Sequence, residues 1–139
     1  MKIGKSLAGA LAAAFLILFL SGCDDDVEEP GISHIDWNNH DLRAEQIVNA
    51  LINEDYSVIA EGFDNDMKSS LGVKGLRNGW RFVVNAAGEV GTIGETEIIP
   101  HDEYDIYHIV TVHSNRSVNT RIVFSHDGLI AGMFFSYLD

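Results

Sequence analysis

The feature that most limits what this chain can fold into is a change of hydrophobic period at Gly88. Before it, apolar residues recur at helical spacing; after it, they alternate. The first pattern predicts a helix over 41–55, with Asp41 as N-cap. Its inward stripe is Leu42, Ala44, Ile47, Val48, Leu51 and Ile52, leaving Arg43, Glu45, Gln46 and Asn49 outward. A short helix over 56–61, a helical turn over 67–71 and a longer helix over 73–87 follow, the last with Val73, Leu76, Trp80, Val83, Val84 and Ala87 on one stripe. After the change, strands are expected over 91–99, 104–114, 117–125 and 129–137. Pro100-His101-Asp102 breaks the first pair, while Asn115-Arg116 and Asp127-Gly128 suit tight hairpins. Helices first and an antiparallel meander second make an α+β domain, with N-terminal helices packed on a curved four-stranded sheet.

Alternation also predicts which face of each strand is covered. On the second strand Tyr104, Ile106, His108, Val110 and Val112 share one side and are expected on the apolar face. Ile109 then falls on the opposite side and, with Val123, is expected to be exposed on an open sheet face suited to dimerisation. Val118, Ile122 and Phe124 alternate on the third strand. The fourth, through Met133, Phe134 and Phe135, is apolar on both sides, as in a strand covered twice or lining a cavity. Gly132 within it marks a bulge or a close backbone approach.

The first part of the chain carries an address. Lys2 and Lys5 precede an apolar run of 14 residues, 7–20, shorter than the ~20 a spanning helix needs. Leu20-Ser21-Gly22 then stands directly before Cys23, the one cysteine of the sequence. This resembles the bacterial lipobox, which implies a signal peptide over 1–22, lipidation of Cys23 with acyl chains such as palmitate, and a membrane anchor facing outside the cytoplasm. Asp24-Asp25-Asp26-Val27-Glu28-Glu29-Pro30-Gly31 opens an acidic tether over 23–39, ahead of a domain over 40–139. Ile32, Ile35 and Trp37 give the tether apolar side chains suited to packing on the domain. Cleavage would leave 117 residues and move the formal charge from −12 to −14. Such a surface repels phosphate backbones and anionic headgroups, so nucleic acid is excluded as a partner and the lipid must hold the membrane. With Cys23 lipidated, disulfides, cysteine zinc sites and cysteine nucleophiles are excluded.

Ala44-Glu45-Gln46-Ile47-Val48, Asp55-Tyr56-Ser57-Val58, Phe63-Asp64-Asn65-Asp66-Met67, Leu76 with Trp80, and Asp127-Gly128-Leu129-Ile130-Ala131-Gly132-Met133-Phe134-Phe135 resemble a bacterial family of unknown function. That family is assigned to the cystatin-like, nuclear-transport-factor-two-like superfamily. The resemblance covers roughly 42–135 and implies a cone, a curved sheet wrapped on a long helix and often enclosing an apolar pocket. Members occur as exported lipoproteins and ahead of serine hydrolase domains. The matching positions are core and turn residues, so they imply fold and not activity.

Chemistry-bearing patterns are sparse. The histidines show no ligand spacing: His34 and His40 lie in the tether, His101 and His126 at strand ends, and His108 and His113 on opposite sides of one strand. Asp64-Asn65-Asp66 lacks the rest of a calcium loop, so no metal is expected. The glycine-rich run 88–94 follows a helix instead of opening one, so no phosphate cofactor is expected. No Gly-x-Ser-x-Gly elbow is present. The catalytic candidates are His108 or Asp105 as base with Tyr107 as oxyanion partner, in the manner of a cavity isomerase or hydratase. The binding candidates are Trp80, His108, Met133 and Phe135, as a pocket or interface for an apolar small molecule, an envelope partner or a second copy. Binding without catalysis is the expected role, with the cavity enzyme as its rival.

Overall fold

A computed structural model describes residues 33–138. The signal peptide, Cys23 and the tether as far as Ile32 lie outside the described residues. The first helix, α1 (Arg43–Ile52), begins two residues later than the spacing predicts. Asn39, not Asp41, closes its start: the Asn39 side-chain oxygen accepts from the N–H groups of Asp41 and Leu42, and its carbonyl accepts from Arg43. Of the predicted stripe, Ala44, Ile47, Val48 and Leu51 are buried and Ile52 is half-buried, but Leu42 is exposed, and Arg43, expected outward, is buried in its place. The helix ends in a Schellman motif, with Glu54 N–H on the Leu51 carbonyl and Asp55 N–H on the Ala50 carbonyl. Glu54 takes the left-handed position at φ 59°, where glycine is usual.

Two short helices follow, α2 (Tyr56–Ala60) and α3 (Asn65–Ser70). The Asp64 carboxylate caps α3 by accepting from Met67 N–H at 2.8 Å. The long helix α4 (Gly72–Ala87) buries Leu76, Trp80, Val83 and Ala87 and stops at Gly88. Ahead of α1, Ile35 is buried and Trp37 lies over Gly62, where an added Cβ would fall 2.3 Å from the indole ring. Ser33 N–H donates to the Asp55 carboxylate.

Four antiparallel strands form one open sheet in the order β1 (Val90–Pro100), β2 (Tyr104–His113), β3 (Ser117–Ser125) and β4 (Ile130–Leu138). The fold is the expected α+β arrangement. Register shifts interrupt β1 at Gly91 and near Gly94, and one lies in β4 beside Gly132. The α1 helix lies against β1 and β2, and α3 and α4 lie against β4. The start of α3 also reaches the rim of the opposite face, where Asp64 and Asp66 border a groove with Tyr104, Arg121, Val123 and Phe134.

The covered face of β2 is the reverse of the one its alternation predicts. Tyr107, Ile109, Thr111 and His113 are buried, whereas Ile106, His108 and Val110 are half-buried and Tyr104 and Val112 are exposed. Ile109 is thus core and not an exposed dimer contact. The cross-strand partners explain the choice. Ile109 pairs with Thr120 and Tyr107 with Ile122, and the buried row of β3 is Val118, Thr120, Ile122 and Phe124. Those residues meet the helices, so the odd-numbered side of β2 must accompany them.

Candidate functional site

The three catalytic candidates do not meet. Tyr107 is buried on the helix face, its hydroxyl donating to the His40 carbonyl at 2.9 Å and accepting from Arg43 Nη2 at 3.5 Å. Asp105 is half-buried two residues earlier on the same side. His108 points to the open face, with Nδ1 3.0 Å from Asn119 Nδ2. Of the binding candidates, Trp80 and Phe135 come together, their ring centroids 5.5 Å apart. Met133 shares that side of β4, and His108 is separated from all three by the sheet. Among the described residues, no three His, Cys, Asp or Glu side chains are grouped to hold a metal.

Two buried polar residues escaped the pattern. His113 Nδ1 lies 2.8 Å from the Gly88 carbonyl, which can only accept, so this nitrogen carries the proton. Its Nε2 lies 2.9 Å from Thr111 Oγ1, and its ring stands edge-on to Trp80 at 5.8 Å. The histidine therefore ties the end of α4 to β2. The placement five residues after His108 was legible; the side it would bury was not.

Arg43 is the largest fully buried side chain, 1 % exposed. Its guanidinium lies 3.7 Å from the centroid of the Phe124 ring and 5.5 Å from that of Tyr107. Nη1 donates to the Trp37 carbonyl at 3.5 Å, and Nε has no partner. Among the described residues no carboxylate pairs with it. The cation is held by aromatic faces, the Trp37 carbonyl and the Tyr107 hydroxyl instead, which pins the strap of residues 37–40 to the sheet.

The open face mixes apolar and charged side chains. Register aligns Glu97, His108, Arg121 and Phe134 across the four strands, and Ile99, Ile106, Val123 and Gly132 in the next row but one. Tyr104, Val112 and Leu138 extend it toward the ends. Phe134 is 52 % exposed and folds back over Gly132, where an added Cβ would come within 3.0 Å of its ring. The Arg121 guanidinium lies over that ring, 4.6 Å from its centroid. On the helix side, a separate open groove of about 590 Å³ has Ile52, Trp80, Val84 and Val90 as its apolar lining.

Fold and surface together define a small α+β module with one filled and one bare sheet face, and with no convergent catalytic set among its candidates. Residues 44–133 match the family described as Protein of unknown function (DUF3887), and the chain belongs to that family. No curated protein and no solved structure matches the chain.

Proposed function

We propose that this chain is a lipid-anchored envelope protein that acts by binding, without catalysis, and that its open sheet face packs against a second copy of itself. The observation that carries this is the inversion on β2. The chain buries Thr111 and His113 and leaves Tyr104 and Val112 exposed and Ile106 and Val110 half-buried. Register with β3 dictates that choice, at odds with the greater apolar surface that burying the other side would remove from water. A face that is covered in use resolves the conflict.

The charges on the face favour a second copy. Glu97 on β1 and Arg121 on β3 flank His108 in one row. A two-fold axis near His108 sets each Arg121 against the Glu97 of the other copy, making the patch self-complementary. Edge-to-edge pairing is disfavoured at β1 by its register shifts, Glu95, Glu97 and the terminal Pro100. Strands of nine to eleven residues make a face of about 600 Å² in projection, approaching the ~800 Å² per partner of a standard interface.

Leu20-Ser21-Gly22-Cys23 supports the anchor at Cys23 and display outside the cytoplasm. The helix-then-meander order supports the cystatin-like superfamily. Against the cavity-enzyme reading with His108 as base stands the separation of Tyr107 and His108 by the sheet itself, and against the Asp105 version stands the Tyr107 hydroxyl's engagement with the His40 carbonyl and Arg43. Sedimentation velocity on the full-length protein tests the proposal, with Phe134→Asp as the perturbed form. A wild-type dimer that dissociates in the variant, at unchanged circular dichroism, is expected. A wild-type monomer at micromolar concentration, or a dimer indifferent to Phe134→Asp, would overturn it.

A further inference from the structure

The groove on the helix side lies between the end of α1, the second half of α4 and the start of β1. Its volume of about 590 Å³ falls within the ~300–1,000 Å³ of small-molecule sites. We infer that it binds a small organic cation with an apolar body, such as an aryl or alkyl ammonium. This site stands apart from the open sheet face, and its failure would leave the dimer proposal untouched.

The lining sets both halves of that ligand. Ile52, Val84 and Val90 supply an aliphatic surface beside Trp80. The indole ring is held in place by His113 on one side and Phe135 on another, so this lining is preformed. The polar rim consists of Glu54, Arg81, Asn85 and Glu89. Arg81, the rim's one cation, directs both Nε and Nη2 to Glu54 Oε1 at 3.1 Å. Tyr56 donates to the same oxygen at 3.3 Å. Three donors thus converge on Oε1, and among the described residues Oε2 has no partner. With Arg81 neutralised by Glu54, Glu89 leaves the groove one net negative charge, in a chain of formal charge −12. An anion entering would face that charge without a donor cation, whereas an ammonium would find Glu89 and Glu54 Oε2 above an apolar lining.

The backbone adds to the picture. Glu54 occupies a left-handed position that glycine would take at lower cost, and its side chain is what reaches the rim.

The test uses the full-length protein and two probes matched in apolar body but opposite in charge, phenethylamine and phenylacetate. The indole N–H resonances report binding, with Trp80 in the groove and Trp37 across the domain as internal reference. Phenethylamine should move the Trp80 signal saturably, and phenylacetate should bind about tenfold more weakly, the ratio expected for one charge in a solvent-open groove. Glu89→Gln, an exposed substitution, should lower the preference for the amine several-fold at an unchanged Trp37 signal. Equal binding of the two probes, a Trp80 signal that neither moves, or a Glu89→Gln variant with undiminished preference would each overturn the inference.

Discussion

Replacing Arg43 by methionine should leave the protein as stable as before or make it more so. The guanidinium is 1 % exposed and lacks a carboxylate partner among the described residues. It holds Phe124 at 3.7 Å, a contact worth up to about 2 kcal/mol when desolvated. Its two hydrogen bonds, to the Trp37 carbonyl and the Tyr107 hydroxyl, are both 3.5 Å long and together contribute about 1 kcal/mol. Against these gains stands a desolvation cost of several kcal/mol for a buried cation, raised by the unpartnered Nε. Methionine keeps most of the stem volume and lays sulfur against the same aromatic ring. The Tyr107 hydroxyl keeps its acceptor, the His40 carbonyl. The balance places Arg43→Met between unchanged and about 2 kcal/mol more stable. Arg43→Ala should fall about 2–5 kcal/mol below the methionine variant, because it leaves a cavity against Phe124 and Tyr107. Urea unfolding followed by circular dichroism, with the slopes compared, gives both numbers. A loss above about 3 kcal/mol for Arg43→Met would refute the reasoning and show that the cation itself holds the strap.

Gly88 adopts φ 94° and ψ −174°, and a Cβ there would lie 2.0 Å from Ser114 Oγ, so Gly88→Ala should cost several kcal/mol in urea. Gly72, at φ 65° with nothing within 4 Å of its Cβ site, should lose only about 1 kcal/mol as alanine. Glu54→Gly relieves a left-handed backbone and gives up an exposed ion pair, so it should match the wild type, while Glu54→Ala should be about 1 kcal/mol less stable than Glu54→Gly in the same assay. Burial, assisted by the neighbouring Glu54 carboxylate, pushes the Tyr56 phenol above its ordinary 10.0. The unfolded chain therefore releases this proton first, and the stability tied to the neutral phenol is present below pH 10.0 and is lost as pH rises through the folded value. Ultraviolet difference titration should show Tyr56 ionising late, and Glu54→Gln should bring it earlier.

The succession of helices and strands was readable because each element carries its own period. The buried stripes of α1 and α4 follow from apolar spacing alone. Strand boundaries came within about two residues because Asp127-Gly128 and Asn115-Arg116 are strong turn signals. The face of β2 was not readable, since both of its sides carry apolar residues and the even-numbered side carries more of them. Facing is decided by neighbours: Val118, Ile122 and Phe124 on β3 are unambiguous, and their register fixes which side of β2 joins them. Helical spacing places Arg43 outward because it says nothing about an aromatic pair, Tyr107 and Phe124, arriving from the distant sheet. Asn39 replaced Asp41 as cap because both residue types suit the role and only the path of 37–40, tied by the His40 carbonyl to Tyr107, selects between them. The groove is not legible in the sequence because one of its walls, Ile52 and Glu54, comes from the end of a helix well upstream of the adjacent α4 and β1 that form the rest.

The claim that the bare face of the sheet packs on a second copy is tested most directly by isotope-filtered nuclear Overhauser spectra. These are recorded on a mixture of differently labelled full-length chains. The account predicts cross-chain contacts from the Val112 methyls and the Phe134 ring, with none from Phe82, which is 71 % exposed on the outer side of α4. Cross-chain contacts centred on Phe82, or none from Val112 and Phe134, would contradict it.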